Sequence, residues 1–230
     1  MNKVVPTKFT KTLSKSLSWV LRHGILKEGL TMYPGGYVQV DELLKLDFYV
    51  QNKVNLDMLK DIVNENDKQR FQLKTMPNKD SNVDNVDNVD NVDNVDNIFY
   101  IRATQGHSID INDEELLHEI TNFENYPVVV HGTTNDVWEK FIKIEGLKPM
   151  TRNHIHFAIG YPNDDNVISG IRSNCNIFIE LDIEKIQRDN VKMYISNNKV
   201  ILTRGADGIL SPNYFKKVLK RNGDKYSEIN

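Results

Sequence analysis

The chain has 230 residues, enough for one large domain or two small ones, and its 39% hydrophobic and 27% charged residues are ordinary for a globular protein in water. A formal net charge of −3 excludes a bulk nucleic-acid coat, and the single cysteine, Cys175, excludes an intrachain disulfide framework and points to a reducing compartment. No apolar run approaches ~18 residues and the lysine-punctuated N-terminus resembles no signal peptide, so no membrane partner is expected and the location is read as cytoplasmic or nuclear.

From Met1 to Lys27 there are six basic residues (Lys3, Lys8, Lys11, Lys15, Arg22, Lys27) and no acid. Such a block can meet phosphates or can be a solvated lysine face. Within it Leu13, Leu17, Val20 and Leu21 recur at helical spacing, and Gly24 after Arg22-His23 is predicted as the C-cap. A second short helix is predicted after Asp41, using Leu43, Leu44 and Leu46, and a third from about Asn55, using Leu59, Ile62 and Val63. Arg70-Phe71-Gln72-Leu73 and Phe99-Tyr100-Ile101-Arg102 alternate polar with apolar and read as a hairpin, with Arg102 on the polar face.

Asn82 to Asn97 contains five Val-Asp-Asn units. A three-residue period fits neither strand nor helix, and the aspartates oppose burial of the valines. Residues 76–97 are therefore read as a disordered low-complexity insertion at the hairpin tip, where added length costs little. The glycine turns of calcium-binding repeats are missing from it. Three helices followed by a two-stranded wing suggest a winged-helix-like lobe over residues 1–108.

The polar stretch between His107 and Tyr126 reads as an interdomain connection, leaving residues 109–230 as a second lobe. There Val128-Val129-Val130-His131 is a buried-type strand ending in Gly132-Thr133. A helix follows with Val137, Trp138, Phe141 and Ile142, closing at Gly146. Strands are predicted at His154 to Ala158, Ile177 to Leu181, Met193 to Ile195 and Val200 to Leu202. Four or five strands with few helices give an α+β class, and no Gly-x-Gly-x-x-Gly follows a strand, which argues against a Rossmann site. Cys175 is read as a small buried hydrophobe.

Polar groups stand at four places where structure alone would not demand them: Arg22-His23 at a helix end, Arg102 on a strand, His131-Gly132-Thr133 at a strand end, and Ser169-Gly170-Ile171-Arg172 before a strand. Each has a plain structural reading as well: cations favour helix C-termini, and glycines permit turns. Together they suggest an anion-handling site, since three arginines offer planar forks of donors and a histidine can move a proton near neutrality. No carboxylate pair, P-loop or metal cluster competes. His154 and His156 share a strand face but lack a third ligand, so no metal is expected.

The run Leu13-Ser14-Lys15-Ser16-Leu17-Ser18-Trp19-Val20-Leu21-Arg22-His23-Gly24 resembles the opening motif of the RNA 2′-phosphotransferase family. Collinear matches follow at Gly36-Tyr37-Val38, Val40-Asp41, Arg70-Phe71, Ile101-Arg102-Ala103, Gln105-Gly106-His107-Ser108 and His131-Gly132-Thr133. Others lie at Met150, Arg152, His154-Ile155-His156-Phe157-Ala158 and Ser169-Gly170-Ile171-Arg172. The stretch from Asp110 to Asn125 and the Val-Asp-Asn insertion depart from the family pattern.

The resemblance implies a winged-helix-like N-terminal lobe and an ADP-ribosyltransferase-like C-terminal lobe that binds NAD⁺. It implies a catalytic set of Arg22, His23, Arg102 and Arg172, with NAD⁺ contacts from His131, Gly132, Thr133, His156, Ser169 and Gly170. NAD⁺ would be consumed while a 2′-phosphate is stripped from RNA, such as spliced tRNA, releasing nicotinamide and ADP-ribose 1″,2″-cyclic phosphate. The chain is expected to act as a monomer. Lys199-Val200-Ile201-Leu202 carries no glutamate where many protein ADP-ribosyltransferases need one, which favours the RNA-phosphate reaction. The alternatives are an ADP-ribosyltransferase acting on RNA ends or protein, and a non-catalytic RNA-binding module.

Overall fold

The structure is a computed structural model that describes residues 7–77, 97–162, 164, 167, 169–223 and 225–229. Its contacts divide the chain into two units, Met1–Ala103 and Thr104–Asn230.

The first unit begins with α1 (Lys8–Trp19), capped by the Thr7 hydroxyl, which accepts from the Thr10 amide at 3.1 Å. Leu13 and Leu17 fall one turn apart and are both buried. Gly24 does not cap this helix. The chain continues through a wider π-turn, Val20–Gly24, which also buries Val20, Leu21 and Arg22. Glycine is needed there for space: a Cβ at position 24 would lie 2.7 Å from the Trp19 ring.

The single helix predicted after Asp41 is two, α2 (Val40–Leu43) and α3 (Asp47–Gln51). Leu46 turns extended between them, and Tyr49, fully buried, anchors the second. Then α4 (Leu56–Asn64) starts where predicted, with the Asn55 side chain accepting from the Met58 amide at 3.0 Å.

Strands β1 (Val38–Gln39), β2 (Phe71–Pro77) and β3 (Asn97–Ala103) form an antiparallel sheet in the order β1-β3-β2. The β2–β3 register runs from Phe71 opposite Ala103 to Pro77 opposite Asn97, so the hairpin is as predicted. Met76, Pro77 and Asn97, assigned above to the insertion, belong to its strands. The rest of the insertion, residues 78–96, lies outside the described residues.

The polar stretch read as a connection is folded into the second unit. It forms α5 (Asp113–Leu116) and β4 (His118–Glu119), and Ile111, Leu116, Leu117, Ile120 and Phe123 are buried. One short turn shows no periodicity. Its acids, Asp113 to Glu115, fill the first helical turn behind an Asn112 cap, where negative charge meets the exposed amides.

Two four-stranded antiparallel sheets follow. One has the order β11-β10-β7-β5, from β5 (Val130–Thr133), β7 (Ile177–Leu181), β10 (Phe215–Asn222) and β11 (Lys225–Glu228). The other has the order β4-β8-β9-β6, from β6 (Ile155–Phe157), β8 (Tyr194–Ile195) and β9 (Ile201–Thr203). The lysine-rich β10 and β11 were not predicted, because their charged faces hide the alternation. Ile155, Phe157, Ile177, Ile179 and Ile201 are buried in one shared core, each contributing about 1.5–3 kcal/mol. The mixture of helix and sheet is the α+β class.

The two sheets meet at a seam. Val130 on edge strand β5 exchanges both backbone hydrogen bonds with Ala158, just after edge strand β6, at 2.9 and 2.8 Å. The helical run after β5, α6 (Asn135–Val137), a π-turn (Trp138–Ile142) and α7 (Lys143–Glu145), covers one side of the seam and stops at Gly146. Trp138 and Ile142 are buried as expected, but Val137 and Phe141 are exposed at 40% and 52%.

Candidate functional site

The polar residues singled out in the sequence form two groups, one in each unit.

In the first unit, β3 packs close to the π-turn, so Arg102 and the Arg22-His23 pair come from adjoining elements. Arg102 does not lie on a solvated polar face. It is 7% exposed, with Nε and Nη2 donating to Gln72 Oε1 at 3.0 and 2.9 Å and Nη1 donating to the Gly35 carbonyl at 3.1 Å. Its guanidinium carbon sits 4.6 Å from the centre of the Tyr37 ring. An amide oxygen, a carbonyl and a ring thus orient the guanidinium. Burial lowers the Arg102 pKa, the Tyr37 phenol opposing that, and burial raises the Tyr37 pKa. Arg22 is buried in the π-turn and His23 is half-buried beside it.

In the second unit, a cavity of about 560 Å³ opens at the seam between the sheets, within the range of small-molecule sites. His131, Gly132, Thr133, His156, Gly170 and Arg172 all line it; Ser169 precedes Gly170 but is not among the lining residues. The seam itself positions His131: its Nδ1 lies 2.8 Å from the carbonyl of His156, and its ring stands edge-on to Phe157. A carbonyl can only accept, so Nδ1 carries the proton and Nε2 is left as an acceptor. Burial, and secondarily the Arg172 cation, push the His131 pKa down despite that hydrogen bond.

Glycines bring the 169–172 turn against the seam. A Cβ on Gly132 would stand 2.7 Å from Ile171 Cγ2 and 3.2 Å from Cys175 Sγ. Gly170 has φ +105°, and a Cβ there would meet the Ala158 backbone at 2.9 Å. The turn is tied down by Cys175 N–H donating to the Arg172 carbonyl at 3.2 Å and Asn176 N–H donating to the Thr133 carbonyl at 2.9 Å. Cys175 is buried and its thiol pKa is raised by burial, as befits a packing residue.

In the sequence Arg152 stands out only as a motif match. It lines the same cavity, and its pKa is lowered by burial and by the Arg172 cation nearby. Two like charges drawn toward one hollow fit a ligand with several negative oxygens. Exposed Val137, Phe141 and Met150 supply an apolar wall that only the fold reveals.

The second unit also holds a charged group that no local sequence pattern reveals. His154, 5% exposed, has Nε2 3.0 Å from Asp113 Oδ2, and Arg204 grips the same carboxylate with Nε at 2.7 Å and Nη2 at 3.0 Å. Burial alone would raise the Asp113 pKa; the hydrogen bonds and charges of His154 and Arg204 outweigh it and hold it at about 2. His154 leads directly into β6, whose His156 carbonyl receives His131. Among the described residues no group of three or more His, Cys, Asp or Glu could hold a metal ion, and no helix is long and apolar enough to cross a membrane.

The family profile described as "RNA 2'-phosphotransferase, Tpt1 / KptA family" matches residues 8–205. A Danio rerio tRNA 2′-phosphotransferase 1 is 40% identical over 207 residues, covering 89% of this chain and 83% of that protein. The Saccharomyces cerevisiae tRNA 2′-phosphotransferase is 36% identical over 195 residues, covering 83% and 77%. A Schizosaccharomyces pombe relative is 38% identical over 222 residues; the chain spans 96% of its own length there but about half, 54%, of that longer protein.

Proposed function

This chain belongs to the RNA 2′-phosphotransferase family, and from that premise we propose that it removes the splice-junction 2′-phosphate from tRNA at the expense of NAD⁺. The observation that carries the reading is Arg102: a buried guanidinium oriented by Gln72 and the Gly35 carbonyl, in the unit that also holds Arg22 and His23. The helices α1 to α4 followed by the β2–β3 hairpin support a winged-helix-like first lobe. The seam cavity supports an ADP-ribosyltransferase-like second lobe.

The cavity fits NAD⁺ on its own features. Arg152 and Arg172 favour a pyrophosphate, and the apolar wall of Val137, Phe141 and Met150 suits a flat ring. When bound, NAD⁺ would supply an anomeric ribose carbon that takes the RNA 2′-phosphate oxygen as nicotinamide leaves, and a neighbouring hydroxyl that then displaces the RNA 2′-oxygen from that phosphate. His131, protonated at Nδ1, presents Nε2 as an acceptor for a ribose hydroxyl, and His156 lines the same hollow. Gly132, on the cavity lining, offers its backbone to the carboxamide.

Arg102, its fork already oriented, needs no rearrangement to hold phosphate oxygens as charge builds on them, and Arg22 and Arg172 are the further cations that the family resemblance assigns to the phosphate. No carboxylate base is required for the attack, because the phosphate brings its own charge. His23 moves the proton from the attacking hydroxyl to the departing RNA 2′-oxygen. The buried Val200, Ile201 and Leu202 leave no glutamate to activate a protein acceptor.

The test is a short RNA with one internal 2′-phosphate, incubated with and without NAD⁺ and resolved by chromatography and mass. NAD⁺-dependent 2′-hydroxyl RNA with ADP-ribose 1″,2″-cyclic phosphate is expected. RNA that gains ADP-ribose and stops there would replace the reading with a generic ADP-ribosyltransferase. RNA bound but unchanged would leave a binding module.

A further inference from the structure

The first unit holds a second hollow, of about 470 Å³, between α1 and residues 65–70 before β2. One wall is the face of α1 that carries Lys11, Ser14 and Lys15; the other carries Lys68 and Arg70. Lys11 and Lys15, at i and i+4, stand side by side, and α1 has no acidic residue anywhere along it. Lys11, Lys15 and Arg70 make no ion pair with any described residue. Arg70 is half-buried, and its Nη1 donates to Asn66 Oδ1 at 3.3 Å, which aims the guanidinium without neutralising it. Burial lowers the Arg70 pKa. Two acids, Glu65 and Asp67, also line the hollow, both exposed and both on the 65–70 side, so four cations outnumber them.

We infer that this groove is an RNA-backbone subsite, taking phosphodiesters of the strand next to the 2′-phosphorylated nucleotide. The inference rests on the RNA-directed reading above. Arg70 is two residues from Gln72, the side chain that holds Arg102, which is about 7 Å along a strand. A strand whose 2′-phosphate reached Arg102 would thus pass its neighbouring phosphates along the groove. The hydroxyls of Thr10 and Ser14 on the same wall suit phosphate and sugar oxygens. Of the basic N-terminal block, Lys11 and Lys15 face this groove and are assigned to the RNA backbone.

The experiment uses the full chain with Lys11→Glu/Lys15→Glu, and with Lys8→Glu, a reversal on α1 outside the groove. Binding is measured over a salt series to a long single-stranded RNA without a 2′-phosphate. Turnover is measured on a long RNA carrying one 2′-phosphate and on a nucleoside 2′-phosphate, which has no phosphodiester to place in the groove. The groove pair is expected to weaken long-RNA binding about tenfold or more and to reduce the salt slope by about 1.4, at about 0.7 per phosphate lost. It should raise KM for the long RNA and leave that for the nucleoside 2′-phosphate unchanged. Equal losses with Lys8→Glu would overturn the groove as the cause, and so would unaltered binding by a pair variant that melts like the wild type. RNA binding needs no turnover, so a wild type that binds in this groove yet releases no phosphate would sink the phosphotransferase reading and leave the subsite standing.

Discussion

Two nitrogens of Arg102, Nε and Nη2, donate to a single oxygen of Gln72 across a paired position of the β2–β3 hairpin. One guanidinium edge is thereby committed to the protein, and its direction is set by strand register rather than by a flexible loop. A side chain held this way pays its ordering cost on folding, before any phosphate arrives.

Arg102→Ala should lower kcat by about 10²–10³-fold, the loss of one preorganised donor to a charged transition state. Arg102→Lys should stay severely impaired, because an ammonium cannot bridge Gln72 and phosphate in one plane. Gln72→Ala should be milder, freeing the fork without removing it. Single-turnover assays on 2′-phosphorylated RNA decide this, and near wild-type turnover in Arg102→Ala would remove Arg102 from the catalytic set.

Asp113→Asn should destabilise the protein at neutral pH by about 2 kcal/mol, since the folded pKa of about 2 lies below the ordinary 3.8. A depressed carboxylate pKa contributes stability above the unfolded value and loses it as pH falls through the folded one. The gap between variant and wild type should therefore close from about pH 4 down to about pH 2. Urea unfolding across that window checks it; a gap that persists at the acid end would assign the effect to packing instead of charge.

The two cavity glycines should fail differently. Gly132→Ala meets an Ile171 methyl that can turn away, so a modest loss of stability with a raised KM for NAD⁺ is expected. Gly170→Ala meets backbone at Ala158 and must also hold φ +105°, for a cost of about 1–3 kcal/mol or more. Thermal melts and KM values on both variants test this ranking, and equal melting losses would contradict it.

His131 should titrate below 6.5, because burial and then Arg172 disfavour its cation. Below pH 6.5 the unfolded chain takes up a proton that the folded one refuses, so stability falls as pH drops through that value and is unaffected above it. In Arg172→Gln the His131 midpoint should rise while staying below 6.5, since burial is the larger cause. Histidine NMR titration reads both numbers; no movement on losing Arg172 would mean that its charge is not felt at the ring.

Much of the first unit was legible from spacing alone. Leu13 and Leu17, the Asn55 start and the 71–73 and 99–102 strands follow local rules that the structure repeats. Gly24, Val137 and Phe141 misled, because a glycine after a helix and apolar residues on one are usually a cap and a core. Here the glycine makes room for Trp19, and the two apolar side chains line a cavity. The stretch between His107 and Tyr126 looked like a linker because polarity was its only local feature.

By itself the sequence determined the family, the α+β class and which arginines, histidines and glycines to watch, since collinear motifs and short-range periodicity survive without coordinates. The tertiary structure alone decided what each of them touches. Arg102 is buried against Gln72 thirty residues away, Asp113 joins His154 and Arg204 across separations of 41 and 91 residues, and His131 is oriented by a carbonyl 25 residues further on. Such contacts depend on strand order and sheet edges, which are properties of the whole chain's packing, and no local pattern of residue types encodes them.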